Sequence, residues 1–188
     1  ELCADELAVL KDFIESCHQA SRSTSHIKDE GFLRLAAADD GQLRIAAVSS
    51  ESGVQPEAKT LAVVERLVAV FMAQLDARFP IDAEYVRTES QRLQWNALSY
   101  KAAAGATDES ATIPGVPFHS DRVPTRIILN ILVTAAATGG ELEILDLTTS
   151  ERWQLNTPGW GVVFDDRQCL HRVSDMRGHR QSLTLRVW

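Results

Sequence analysis

The second half of the sequence contains three side chains that could bind one metal ion. His119 and Asp121 stand two positions apart in PFHSDR, and His171 follows 52 positions after His119 (171 − 119 = 52). Residues two apart on an extended strand point to the same face, so this imidazole and carboxylate could contact one ion. Two imidazoles and one carboxylate form the facial triad of non-haem Fe(II) oxygenases, which leaves the opposite face of the metal open. His119, Asp121 and His171 are therefore candidate catalytic metal ligands.

The closing segment RQSLTLRVW alternates polar and apolar residues, which predicts a strand with two different faces. Its polar face carries Arg180, Ser182 and Thr184, and the same count turns Arg186 to that face. A solvated edge strand would explain the pattern, and so would a strand whose polar face points into a pocket. The second interpretation places two arginines in a candidate site.

From about residue 90 to the C-terminus, the order and spacing of motifs resemble the Fe(II)- and 2-oxoglutarate-dependent dioxygenases, and within them the prolyl 4-hydroxylase-like branch. The matching motifs are LSYKAAAG with Tyr100, FHSD with His119 and Asp121, RIILNIL, GGELEIL, TPGWGVVF with Pro158, Gly161 and Phe164, LHRV with His171, and RQSLT with Arg180, Ser182 and Thr184. The resemblance implies an α+β fold with a double-stranded β-helix, a cupin-like jelly roll, braced by N-terminal helices. It also implies Fe(II) as the metal, with 2-oxoglutarate and O2 as co-substrates.

The resemblance also assigns residues to the co-substrate. The distal carboxylate of 2-oxoglutarate needs a cation in a dry site, and Arg180 carries a planar fork suited to two parallel hydrogen bonds. Ser182 follows two residues later on the same face and adds a hydroxyl donor. Tyr100 and Asn130 are assigned to the same pocket, although the phenol of Tyr100 could equally belong to the core with a hydrogen-bonded hydroxyl.

Some positions depart from the family pattern. Many prolyl hydroxylases have lysine where Arg180 stands, and some have tyrosine on the strand after the HxD motif, where this chain has Asn130 and Leu132. The substrate therefore need not be proline. Halogenating relatives have a small residue at the position of Asp121, so the carboxylate here favours hydroxylation or another oxidative step over halogenation.

Two arginines are candidates for binding the primary substrate. Arg186 would place a second cation near the metal, and Arg122 directly follows the HxD motif. Either could bind a carboxylate, as an amino-acid hydroxylase would require. The alternative for each is an ion pair at the rim of the site with Asp165, Asp166 or Glu141.

The elements that would position these residues change character near residue 80. ADELAVLKDFIESCHQA predicts an amphipathic helix from about residue 5 to 20, and KTLAVVERLVAVFMAQLDARF predicts a second helix that Pro80 ends. Asp39, Asp40 and Gly41 between two alternating runs predict a β-hairpin. After Pro80 the sequence predicts strands only. One domain is expected, with helical support and first strands in 1–89 and the metal and co-substrate core in 90–188.

Composition argues against several classes of partner. The chain has 19 Lys and Arg against 26 Asp and Glu, a net charge of −7, which disfavours nucleic acid and anionic membranes. Its apolar stretches are interrupted by charges and no leader pattern is evident, so the cytoplasm is the expected compartment. The three cysteines form no CxxC pair, which argues against a thiolate metal site. A small molecule is the expected partner, and the sequence carries no signal for an oligomeric state.

These features together predict an enzyme that hydroxylates an unactivated C–H bond of a small molecule, such as an amino acid or a natural-product intermediate, with release of succinate and CO2. A prolyl-type peptidyl hydroxylase is the alternative within the enzyme class. From other classes, a non-catalytic cupin-like protein that binds or senses metal and 2-oxoglutarate stays open. A zinc hydrolase with the same ligands would leave Arg180 and the GGxL and PxxG motifs without a role. The long loop over 102–117 is a candidate lid, although an inert loop would have the same sequence features.

Overall fold

A computed structural model describes residues 1–20, 26–40, 42–100, 112–121 and 125–188. The helices are α1 (Ala4–Ala20), α2 (Ala58–Arg78), α3 (Pro80–Tyr85) and one π-helical turn (Val86–Ser90). The strands are β1 (His26–Ala37), β2 (Leu43–Val48), β3 (Arg92–Tyr100), β4 (Val116–His119), β5 (Ile127–Thr134), β6 (Thr138–Gly139), β7 (Leu142–Asp146), β8 (Arg152–Leu155), β9 (Gly161–Asp165), β10 (Cys169–Val173), β11 (Met176–Arg177) and β12 (Arg180–Arg186). None of the helices in these ranges is long and apolar enough to span a membrane.

The strands form two main antiparallel sheets and one small one. The larger sheet has the order β2-β1-β3-β12-β5-β9, the smaller has the order β4-β10-β7-β8, and β11 pairs with β6. Buried apolar side chains from both main sheets form one core between them. This arrangement confirms the predicted cupin-like jelly roll, a double-stranded β-helix with helices bracing one side. Strand β12 lies between β3 and β5, so the closing segment is a central strand and not a solvated edge.

The two faces of β12 belong to different environments. Its apolar residues Leu183 and Leu185, and Val187 directly after it, are buried in a core shared with α1 and α2, which contribute side chains such as Phe13 and Phe71. Burial of each large apolar side chain contributes roughly 1.5–3 kcal/mol. Because the helices cover this face, the polar residues of β12 must face the space between the two sheets. The predicted amphipathic helix near residues 5 to 20 is confirmed as α1.

The N-terminal half supplies strands to the same large sheet. Strand β1 pairs with β3 from His26 opposite Tyr100 to Arg34 opposite Arg92. Strand β2 pairs with β1, which confirms the predicted hairpin, and Gly41 of its turn lies outside the described residues. The larger sheet is therefore completed by the segment that precedes α2.

The prediction that only strands follow Pro80 is wrong. Pro80 ends α2 and also begins α3 as its first residue, where its missing N–H costs nothing and its fixed φ suits the helix. The break between the two helices is at Phe79, with φ −138° and ψ 59°. A helix of six residues is too short for a helical period to be seen in the sequence.

An ion-pair network fastens α3 to the turn between β9 and β10. The buried carboxylate of Asp82 lies 3.0 Å from Nη2 of Arg167, whose Nε donates to Asp165 at 2.8 Å. Nη1 of Arg126 lies 3.6 Å from the same Asp82 carboxylate, and its guanidinium lies 4.1 Å from the centre of the Tyr85 ring. The network stabilises this turn, and the residue after Asp165 is part of the candidate site.

Candidate functional site

Two paired strands, β4 and β10, and the short segment after β4 bring the predicted metal ligands together. His119 ends β4 and lies directly opposite His171 on β10. The two strands approach closely beside Gly115, where a Cβ atom would overlap the carbonyl oxygen of Val173. Asp121 follows His119 by two residues. Its Oδ1 lies 3.7 Å from Nε2 of His119 and 3.9 Å from Nε2 of His171, and one ligand atom from each residue lies within 4.8 Å of the others.

A backbone hydrogen bond orients the imidazole of His119, and a carboxylate lies close behind that of His171. Nδ1 of His119 lies 2.7 Å from the carbonyl oxygen of Pro117. A carbonyl oxygen can only accept, so Nδ1 carries the proton and Nε2 of the neutral ring keeps its lone pair for a metal. Nδ1 of His171 lies 3.2 Å from Oδ1 of Asp166, whose side chain is 1% exposed. A carboxylate behind a metal-binding histidine fixes the ring and raises its basicity as a ligand.

The charges of the site favour an ionised Asp121. Burial acts to raise its pKa, but the neighbouring imidazole of His119 and the positive charge of Arg186 hold the pKa of Asp121 below its ordinary value. In turn, the nearby Asp121 carboxylate raises the pKa of His119. At a given pH, a larger fraction of His119 is therefore protonated than of an isolated histidine, and a metal ion that binds here must displace that proton.

A cavity of about 220 Å³ lies between the two sheets at this place. Side chains from both sheets line it, and among them are Tyr100, His119, Asn130, Phe164, His171, Arg180, Ser182, Thr184 and Arg186. Strand β12 crosses the cavity, with Arg180 near one end of its polar face and Arg186 near the other. At about 3.3 Å per residue, the Cα atoms of these two arginines are separated by roughly 20 Å.

Arg180 is a buried cation with an open hydrogen-bond donor. The residue is 1% exposed, its Nε donates to the carbonyl oxygen of Gly140 at 2.7 Å, and its Nη1 donates to Oγ of Ser182 at 3.0 Å. Its Nη2 is buried and has no hydrogen-bond partner among the described residues. Burial lowers the pKa of Arg180, but an arginine stays charged because its ordinary pKa is so high. The open N–H therefore suits an anionic ligand.

Two further predicted co-substrate residues line the same cavity. The guanidinium carbon of Arg180 lies 5.7 Å from the centre of the Tyr100 ring, and burial raises the pKa of the Tyr100 phenol. Nδ2 of Asn130 donates to Oγ1 of Thr184 at 2.9 Å. Oδ1 of Asn130 is buried without a hydrogen-bond partner in the described part of the chain. Arg180 and Asn130 thus offer an open donor and an open acceptor to a ligand in the cavity.

Of the two arginines predicted to bind the primary substrate, the structure describes Arg186 and not Arg122. Nη2 of Arg186 lies 2.7 Å from Oδ2 of Asp121, so its ion pair is with a candidate metal ligand. The alternative prediction is an ion pair at the rim of the site with Asp165, Asp166 or Glu141. These carboxylates have other partners: Asp165 contacts Arg167, Asp166 contacts His171, and Glu141 accepts a hydrogen bond from Ser174. Arg122 lies outside the described residues, as do residues 102–111 of the candidate lid over 102–117.

Asp166 is a functional candidate that the sequence did not suggest. We expect Asp166→Asn to weaken Mn(II) binding about 10- to 100-fold, the usual cost of losing a partner behind a metal ligand. The amide keeps the size of the side chain but carries no charge to fix the His171 ring. Calorimetric titration with Mn(II) measures the change. Affinity equal to that of the wild type would remove Asp166 from the metal centre.

Comparisons with known proteins place the fold. No protein-family model matches the chain, and no curated protein matches it. Among solved structures, a bsmA homolog from Methylobium petroleophilum superposes with a TM-score of 0.59 at 15% identity, with 97% of this chain and 80% of that chain covered. A Pseudomonas putida prolyl-4-hydroxylase gives 0.56 at 15% identity, with 99% and 88% covered.

A third solved structure has the same architecture. It is a prolyl hydroxylase from Trichoplax adhaerens in complex with a peptide of hypoxia inducible factor, with a TM-score of 0.58, 10% identity, and 100% of this chain and 80% of that chain covered. At such identities a likeness is one of fold. This chain therefore has the cupin-type fold of the prolyl hydroxylases, with a His-Asp-His group inside it that could hold a metal.

Proposed function

We propose that this protein is an Fe(II)- and 2-oxoglutarate-dependent oxygenase that hydroxylates an unactivated C–H bond of a small molecule and releases succinate and CO2. The observation that carries the proposal is one cavity lined both by His119, Asp121 and His171 and by Arg180 with its open N–H. A shared fold with prolyl hydroxylases adds support.

The residues of the cavity divide the work of such a reaction. Bound Fe(II), with 2-oxoglutarate and O2, supplies the oxidising power for attack on a C–H bond. His119 and His171 would hold the metal through Nε2, and Asp121 would hold it through one carboxylate oxygen. These three ligands leave three positions of an octahedron open, of which the keto acid needs two and dioxygen one.

The charge of Arg180 favours this function over a hydrolase. Among the described residues, no carboxylate lies within ion-pair distance of its buried guanidinium. An uncompensated buried charge costs several kcal/mol, which a carboxylate of a bound ligand offsets. A co-substrate with a carboxylate at Arg180 and a keto acid at the metal would pair the buried charge and also fill open positions on the metal. A zinc hydrolase would leave this cation without a partner.

The size of the cavity suits a compact substrate. At about 220 Å³ it lies below the roughly 300–1,000 Å³ usual for ligand pockets. Because Fe(II) and 2-oxoglutarate would occupy this space as well, the reacting part of the substrate must be small, as in a free amino acid, a small natural-product intermediate, or one side chain of a peptide. A substrate screen therefore needs to contain peptides beside small molecules.

The test is succinate formation by the reconstituted protein. Protein loaded with Fe(II) without oxygen is mixed with 2-oxoglutarate, O2 and a panel of amino acids, natural-product intermediates and prolyl peptides. We expect succinate, together with a gain of one oxygen in the mass of one panel member. His171→Ala is the control and is expected to form no succinate. Absence of succinate from the wild type, with no effect of 2-oxoglutarate on the spectrum of bound Fe(II), would contradict the proposal.

A further inference from the structure

The two oxygens of the Asp121 carboxylate have different neighbours. Oδ1 faces the imidazoles, at 3.7 Å from Nε2 of His119 and 3.9 Å from Nε2 of His171. Oδ2 lies 2.7 Å from Nη2 of Arg186. The cation therefore contacts one oxygen and leaves the other beside the two nitrogen ligands.

The guanidinium of Arg186 is itself held from the neighbouring strand. Asn96 on β3 is fully buried. Its amide oxygen and amide nitrogen both find hydrogen-bond partners only when the oxygen faces Arg186. In that orientation its oxygen accepts from the guanidinium at 3.2 Å, and its nitrogen donates to Glu30 at 3.2 Å. The orientation follows from the hydrogen-bond network. A chain of polar contacts thus runs from β1 through β3 to Arg186 and the metal ligand.

A carboxylate can bind a metal through one oxygen or through both. If both oxygens of Asp121 bound, the two imidazoles and the carboxylate would occupy four positions of an octahedron, and two would stay open. We propose that Arg186 is a positioning residue that restricts Asp121 to binding through Oδ1, so that three coordination positions stay open. The need for three positions rests on the proposed function, since the keto acid and O2 together require them.

This role differs from a direct grip on the primary substrate. Arg186 has 12% of its side chain exposed, and its guanidinium is engaged by Asp121 and Asn96. A guanidinium spreads its charge over a flat group that can contact both partners, whereas a lysine ammonium concentrates the charge at one point. The arrangement assigns the residue to the metal ligand, and predicts an effect on the metal before any substrate is present.

The test counts the water molecules on bound Mn(II) by the relaxation of water protons. In the wild type we expect about three exchangeable waters, one for each open position. Arg186→Met removes the cation at similar length, and we expect about two waters, with Mn(II) affinity equal or tighter. Arg186→Lys is expected to restore the count toward three, because the ammonium can still attract Oδ2. The matched control is Arg172→Met, a half-exposed arginine on β10 that pairs with Glu143.

A second readout is the affinity for 2-oxoglutarate. In Mn(II)-loaded Arg186→Met we expect the dissociation constant to rise about tenfold. An unchanged water count in Arg186→Met would overturn the inference, and so would an equal loss of metal and 2-oxoglutarate affinity, which is the result for a merely structural residue. If the wild type binds no 2-oxoglutarate, the proposed function fails, and the water count still tests Arg186.

Discussion

Replacement of Arg180 by methionine is expected to abolish 2-oxoglutarate binding and to leave metal binding intact. The guanidinium is buried, and its open Nη2 is the donor that a ligand carboxylate would use. Loss of one partner of a buried charge pair costs about 3–5 kcal/mol, which corresponds to roughly 100- to 4,000-fold in affinity. Calorimetric titration of Mn(II)-loaded protein with 2-oxoglutarate measures this loss.

The same substitution is expected to leave the ligand-free protein as stable as the wild type or more stable. A buried cation without a counter-charge destabilises a fold, and an apolar side chain of similar length removes that cost. The carbonyl oxygen of Gly140 loses its donor in exchange. Binding sites often carry such a stability cost, because the charge is there for the ligand. Urea unfolding of both proteins without ligand compares their free energies of unfolding.

Two further variants separate charge from geometry at this end of the cavity. Arg180→Lys keeps the positive charge but loses the fork, and we expect an affinity between those of the wild type and Arg180→Met. Ser182→Ala removes one hydroxyl and is expected to weaken 2-oxoglutarate binding only several-fold, since one hydrogen bond contributes about 1 kcal/mol. If Arg180→Met bound 2-oxoglutarate as tightly as the wild type, Arg180 would not be its anchor.

The alternation of polar and apolar residues was enough to predict the two faces of β12. A period of two fixes which side chains share a face, and the helices then cover the apolar face. The same alternation turned Arg186 toward the metal ligands. Its partner, Asp121, could not be predicted, because the contact depends on where β12 lies relative to the turn after β4. Nothing local in either segment specifies that distance.

The residues that support the ligands were missed for a related reason. Asp166 precedes His171 by five positions, in a turn held by Arg167 and Asp82. Asn96 lies on β3, far earlier in the chain, and reaches Arg186 only because β3 and β12 are neighbours. A polar residue at a buried strand position is the one signal that the sequence offers, and burial is known only after the strands are paired.

Substitution of Asp121 by asparagine is the second large effect that we expect. Asp121→Asn keeps the shape of the side chain and removes the charge that two imidazoles and Arg186 surround. We expect Mn(II) affinity to fall at least about 100-fold, more than for a residue behind the ligands. Glu143→Gln is the matched control. Glu143 pairs with Arg172, which directly follows His171, and this substitution is expected to leave the Mn(II) affinity unchanged.

The pH dependence of Mn(II) binding distinguishes a lost ligand from a disturbed fold. In the wild type, the neighbouring carboxylate of Asp121 raises the pKa of His119. Metal binding requires the neutral imidazole, so affinity rises with pH until the pH exceeds this raised pKa. In Asp121→Asn the anion that favours the imidazolium is absent, so the pKa of His119 falls toward the ordinary value of about 6.5. In Asp121→Asn the midpoint of the pH profile should therefore move to lower pH, and the Mn(II) affinity on its plateau should be weaker. A general loss of structure would weaken the plateau affinity without moving the midpoint.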